Sequence, residues 1–164
     1  GSDFVWHLQS TDLPNRMIIW ALRLITFMTL KVLTIDDDPA MTELLTLLLK
    51  THGFDVVIAN TGEDGVKITR DESPDVIILD LMMTGMDGWQ VCKEIRNFSS
   101  VPILVFSALD SPGIVASALD AGADDYLVKP ISSGVLIAHL NKLTRRTDMN
   151  NGHKFNPQTA PLLI

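Results

Sequence analysis

Only one cysteine, Cys92, occurs in the 164 residues. No intrachain disulfide can form, and cysteine usage gives secretion no support. No Cys-x-x-Cys pair or histidine-rich tract offers a zinc set. Positive charge is scarce as well: 13 Lys and Arg stand against 20 Asp and Glu, a formal net charge of −7. That argues against a nucleic-acid footprint, which needs clustered Lys and Arg. A membrane-length apolar run is missing too. The nearest, Met17 to Met28 (MIIWALRLITFM), is twelve residues long and contains Arg23, too short to span a bilayer. It lacks the basic n-region and small-residue cleavage site of a signal peptide. There is no internal repeat and no low-complexity block.

What remains is apolar and regularly punctuated. Apolar residues make up 46% of the chain and mean hydropathy is +0.23, enough for a sizeable core and against wholesale disorder. Lys31 to Ile35 (KVLTI) is a short apolar run, followed by Asp36-Asp37-Asp38. Asp38-Pro39 reads as a helix start, with Asp as N-cap and Pro at the first helical position. Leu44, Leu45, Leu47, Leu48 and Leu49 form a broad apolar face, and Gly53 stops the helix. Further runs, DVVIA at 55–59, DVIIL at 75–79, PILVF at 102–106 and DDYLV at 124–128, read as strands. Helical stretches separate them: one opened by a box-like Thr61-x-x-Asp64 and ending near Arg70, then 88–97, 111–121 and a last one from Ser132 or Ser133 to about Arg146. Five strands alternating with helices predict a parallel sheet with helices on both faces.

In such a sheet all strands point one way, so the residues that end the apolar runs share one edge, where ligands bind. Those residues are Asp36-Asp37, Asp80, Ser107 and Lys129-Pro130. Adjacent Asp36 and Asp37 repel each other unless something positive sits nearby. A magnesium ion, which favours oxygen ligands, would resolve that. The plainer role, capping the next helix, is already filled by Asp38. Asp80 closes the five-residue run DVIIL. A strand-end Asp is ordinary taken alone, but here it is the best candidate nucleophile, since carboxylates form acyl phosphates. Ser107 could donate to a phosphoryl oxygen, though a turn serine is common. Lys129 could neutralise phosphate and Asp80 as a point charge, though most lysines are simply exposed. Lys129-Pro130 is also a candidate cis bond.

From Lys31 to Arg146, about 116 of 164 residues, the chain resembles the receiver domain of two-component response regulators, the CheY-like family. The matching segments are VLTIDDDP, PDVIILDLMMTGMDG, PILVFSALD and AGADDYLVKP. The resemblance implies a doubly wound five-stranded parallel α/β sheet, strand order 2-1-3-4-5, flanked by five helices. It implies Asp80 as phosphoacceptor, Asp37 as a direct magnesium ligand, Asp36 as a ligand through water, and the carbonyl of Met82 as a third ligand. Ser107 is then the switch hydroxyl, Lys129 contacts phosphate in a cis Lys-Pro pair, and Tyr126 is the aromatic switch that follows Ser107. Activity would be that of a cytoplasmic signalling switch rather than an enzyme: it accepts a phosphoryl group, with Mg2+, from a sensor histidine kinase or phosphotransfer protein, and hydrolyses it again. Output would be through contact with an unidentified effector protein. No nucleic acid through this domain and no membrane are expected. The chain would be a monomer or a phosphorylation-dependent dimer.

Departures from the family are specific. Thr84 replaces the usual proline after the phosphoacceptor, so a less rigid loop is expected. Gly113 and Gly134 weaken the first turns of two helices. His139 and Asn141 stand where winged-helix regulators commonly carry arginine for dimer salt bridges. Met82 and Leu109, two residues after Asp80 and Ser107, are apolar and expected to hinder the attacking water and lengthen the signal. Rival readings are weaker. A haloacid-dehalogenase-type phosphatase needs a second Asp where Met82 stands. A flavodoxin-like binder needs a glycine-rich phosphate loop that is missing after the first strand. A degenerate receiver would lack some of the five side chains, and all are present. Receiver residues 30–146 leave two flanks. Residues 1–29, beginning with the tag-like Gly1-Ser2, read as an extension or vector-derived segment with a short apolar helix. An appended segment without chemistry is the main reading; the alternative is packing on the domain or on a second subunit, since Ile18, Trp20, Ile25 and Phe27 would be costly in water as one patch. Residues 147–164 read as a mobile tail. The NKLTRR ending resembles a receiver–linker junction, so the chain also reads as the receiver of a longer winged-helix regulator.

Overall fold

The computed structural model describes the chain from residue 13 to residue 150. The elements run α1 (Leu13–Met28), β1 (Lys31–Ile35), α2 (Pro39–Thr51), β2 (Asp55–Ala59), α3 (Gly62–Glu72), β3 (Val76–Leu79), α4 (Gly88–Arg96), β4 (Ile103–Ser107), α5 (Pro112–Asp120), β5 (Asp125–Val128) and α6 (Ser133–Asn150). The strands form one sheet in the order β2-β1-β3-β4-β5, and every pairing is parallel. This is the expected doubly wound arrangement, with α1 added before it.

The strands alternate between two cores. Leu33, Ile35, Ile77, Leu79, Ile103 and Val105 face one side, with Val91, Cys92 and Ile95 of α4 and Ala118 of α5. Val32, Val76, Ile78, Leu104, Phe106 and Leu127 face the other, with Leu45 and Leu49 of α2 and Leu136, Leu140 and Leu143 of α6. Because β3 and β4 are buried on both faces, their sequences are continuously apolar.

Side-chain caps set where the helices begin. Asp38 accepts from the Ala40 N–H with Pro39 in the first turn, Ser111 accepts from Ile114 ahead of Pro112, and each such cap contributes ~1 kcal/mol. Gly53 ends α2 at φ +83, a left-handed turn that a Cβ would strain. The expected box at Thr61 is half made: Thr61 accepts from the Asp64 N–H. A full capping box forms instead between Asp87 and Gln90, where Gln reaches the N-cap amide that a shorter Asp does not.

The apolar helix forms, but residues 14–24 are exposed rather than laid on the domain; α2 to α6 already cover both faces of the sheet. Trp20 is 60% exposed. The last helix continues past Arg146 to Asn150, since no Gly or Pro interrupts it there. Gly1-Ser2 and the expected tail from residue 151 onward lie outside the described residues.

Candidate functional site

Strand order reverses between β1 and β3, so the crevice opens beyond the C-terminal ends of those two strands. Register carries Asp36 and Asp80 there together. Ile35 pairs with Leu79, and the Asp80 N–H donates to the Ile35 carbonyl at 2.9 Å. The Asp36 N–H donates to Ala59 at 3.1 Å. On the far side Ser107 pairs with Val128, and the Lys129 N–H donates to the Ser107 carbonyl at 2.8 Å. The backbone ladder thus sets all five predicted side chains along one edge. Lys129-Pro130 is cis, as the resemblance implies.

Asp36, Asp37 and Asp80 converge: each offers a carboxylate oxygen within 4.8 Å of the others. Asp36 is buried; the other two are half-buried. The Asp38 N–H donates to Asp36 Oδ1 at 2.9 Å. Lys129 Nζ reaches Asp36 Oδ2 at 3.1 Å and lies 5.2 Å from the centre of the Phe106 ring. Sequence reasoning aimed this lysine at Asp80; its ion pair is with Asp36, the more buried carboxylate, where an unpaired charge costs most. Burial foremost, then the Asp36 charge, raises the Asp80 pKa above the usual carboxylate value, against the pull of Lys129 and of the Met82 and Leu81 amides. Three acidic groups therefore share one ammonium. Their oxygen-only donor set fits a hard divalent cation, and the carbonyl of Met82 lies two residues from Asp80 on the same loop.

Ser107 is fully buried, and its Oγ accepts from the Leu109 N–H at 3.3 Å. Tyr126 turns toward the same loop, its hydroxyl donating to the Leu109 carbonyl at 2.6 Å. Burial raises the Tyr126 phenol pKa, while a contact with Ser107 pulls it down. The two switch candidates therefore touch one short segment. Met82 is 60% exposed at the rim. Cys92 is buried and its thiol is pushed up to about 11 by burial, which leaves it inert.

Three residues matter here that sequence reasoning missed or misread. Gly88 opens α4 against the phosphoacceptor: a Cβ there would stand 2.5 Å from the Asp80 carbonyl and 2.7 Å from Leu81 Cα. Its N–H donates to Leu81 at 3.0 Å. The G-x-D-G spacing of Gly85 to Gly88 was the available signal. Asn60 Nδ2 donates to the Asp36 carbonyl at 2.9 Å, and its place at the stop of β2 was the hint. Thr84, expected to loosen its loop, instead donates to Asp37 Oδ2 from its N–H at 2.9 Å and from its hydroxyl at 3.3 Å. On α6, His139 Nδ1 meets Asp125 Oδ2 within the chain.

Comparisons with known proteins agree with this fold. The family model described as the response regulator receiver domain matches residues 32–141. The transcriptional regulatory protein AfsQ1 of Streptomyces coelicolor is 42% identical over 115 residues, covering 70% of this chain and 51% of that protein. The DNA-binding response regulator MtrA of Mycolicibacterium smegmatis is 37% identical over 118 residues, covering 72% and 52%. The chain thus spans about half the length of these curated relatives. Among solved structures, the Francisella response regulator 1452 receiver domain has a TM-score of 0.69 and 34% identity over 73% of this chain and 99% of its own. The BeF3-activated N-terminal receiver domain of Klebsiella pneumoniae RstA has a TM-score of 0.68 and 33% identity over 70% and 98%.

Proposed function

The chain belongs to the response regulator receiver family, and on that premise we propose that it is switched by phosphorylation of Asp80. It is a signalling regulator, not a classical enzyme. The observation that carries the assignment of Asp80 is the edge itself: three carboxylates, one ammonium and one buried hydroxyl converge at the reversal of strand order.

In the proposed reaction Asp80 Oδ attacks the phosphorus of a phosphohistidine on a kinase or phosphotransfer protein. The O–P bond forms, the P–N bond breaks, and its electron pair stays on the imidazole nitrogen. A magnesium ion held by Asp36, Asp37, Asp80 and the Met82 carbonyl supplies, when bound, positive charge beside the phosphoryl oxygens. Lys129 adds a second positive charge by moving its contact from Asp36 to the new group. Ser107 donates to a phosphoryl oxygen, gives up the Leu109 amide, and lets Tyr126 follow. That biases two arrangements of the α5–β5–α6 surface. Water then attacks the phosphorus, the Asp80 O–P bond breaks with its electron pair staying on the carboxylate, and inorganic phosphate leaves, returning the domain to rest.

The phosphodonor's protein has a surface to lean on. Leu44 and Leu47 of α2 are 60% and 69% exposed, beside a groove of about 360 Å³ lined by Met41, Leu48, Pro130 and Ile131. It abuts Lys129. Output through protein contact suits the net charge of −7. A second reading, the receiver of a longer DNA-binding regulator, is favoured by the names and lengths of AfsQ1 and MtrA. No described helix is long and apolar enough to cross a membrane.

The test is incubation with acetyl phosphate and magnesium, read by intact mass. The native chain gains one phosphoryl group and Asp80→Asn gains none. An unlabelled native chain, or a label that survives Asp80→Asn, overturns the assignment.

A further inference from the structure

We propose that Thr84 is a positioning residue that clamps Asp37 for metal binding, an inference that rests on the magnesium site proposed above. The three carboxylates are held in different ways. Asp36 has a backbone amide on one oxygen and Lys129 on the other. Asp80 is contacted by the amides of Leu81 and Met82. Asp37 has no ammonium; among the described residues, both hydrogen bonds to its carboxylate come from Thr84. They reach across 47 residues of chain and fall on the same oxygen, Oδ2. Among the described residues no hydrogen bond reaches Oδ1, and one oxygen of Asp37 lies within 4.8 Å of carboxylate oxygens of Asp36 and Asp80.

This arrangement depends on the residue type. Proline has neither an N–H nor a hydroxyl, so a proline at 84 would leave Asp37 undressed. A free carboxylate must lose its rotamer freedom when an ion arrives. One already fixed through a single oxygen loses less, and binding gains by that preorganisation. The two donors also offset part of the charge that Asp37 adds to a site with one ammonium for three carboxylates. Thr84 therefore tightens the loop onto the metal edge.

The test titrates MgCl2 calorimetrically into the metal-stripped chain, with no phosphodonor present. Thr84→Ser keeps both donors, Thr84→Val keeps the N–H alone, and Thr84→Pro keeps neither. Expected dissociation constants are native-like for Ser, raised ~3-fold for Val and ~10-fold for Pro, as for one and two bonds to a charged acceptor at an exposed edge. Circular dichroism checks the proline variant; should it fail to fold, Thr84→Val, isosteric and exposed, decides alone. The graded loss with rescue by Ser supports the clamp. Val and Pro variants binding as tightly as the native chain, or tighter, overturn it while leaving the metal site intact. A native chain that takes up no magnesium overturns the metal site, and the clamp with it.

Discussion

The two ends of the sheet treat charge in opposite ways. At the N-terminal edge, Asp75 accepts from the Lys31 N–H at 2.6 Å, and Lys31 Nζ meets Glu72 at 3.2 Å. Asp124 accepts from the Ile103 N–H and from Arg96, both at 2.8 Å. Arg96 also donates to the carbonyls of Gly122, Ser99 and Val101. Donors there match acceptors. At the C-terminal edge, 10–17 Å away by strand length, three carboxylates crowd within 4.8 Å around a single lysine. One end is arranged for stability. The other holds an excess of negative charge that an added cation would offset, which is how a binding site differs from a structural ion-pair network.

The largest effect that would sharpen this contrast is at the satisfied end. Arg96→Ala removes donors from three carbonyls and leaves Asp124 short of its ion partner. Partial exposure of the pair limits the loss, which should be ~2–3 kcal/mol, lowering Tm by ~5–10 °C. Labelling by acetyl phosphate should survive at temperatures where the variant is folded. A Tm within a degree of the native value would mean that the strand ladder alone orders that edge, and the comparison would lose its first half.

The next effect concerns the rim of the charged end. Met82→Asn or Leu109→Glu replaces an apolar neighbour of Asp80 or Ser107 with a group that can hold water. The phosphoryl lifetime should shorten ~10-fold, about 1.4 kcal/mol in barrier, followed by the decay of the labelled mass after the donor is removed. Unchanged decay in both variants would show that access of water is set elsewhere.

How much of this was legible in the sequence follows from what pattern can carry. Strands buried on both faces are unbroken apolar runs, so their polar stops, Asp36, Asp37, Asp80, Ser107 and Lys129, announced one edge before any coordinates. The partner of Lys129 was not legible, because a long flexible side chain chooses between two carboxylates by burial and reach, neither of which alternation encodes. Thr84 was misread for a related reason. As a residue type it looks looser than proline, but its two donors find Asp37 only once β1 and β3 lie side by side. Gly88 needed the close approach of the Asp80 carbonyl to explain it. The exposure of α1 was hidden because hydropathy reports what a helix should bury, not whether a face is free to receive it.

The smallest effect tests the surplus charge directly. Burial and Asp36 raise the Asp80 pKa, so the folded chain holds that proton more tightly than the unfolded one. Whatever stability Asp80 confers is therefore present below the unfolded carboxylate value, ~4, and is lost as pH rises through the folded pKa. Above that folded value the metal-free native chain has lost it, and Asp80→Asn, which cannot ionise, has not. The variant should melt higher than the native chain, by less than Arg96→Ala lowers Tm. Its advantage should vanish below the unfolded carboxylate pKa, where native Asp80 is protonated in both states. It should also shrink when magnesium is added, because the ion favours the folded form of the chain that binds it better. If the variant melts lower at neutral pH, or its advantage is the same at acid pH, Asp80 is not carrying unbalanced charge, and the two ends of the sheet differ less than their geometry suggests.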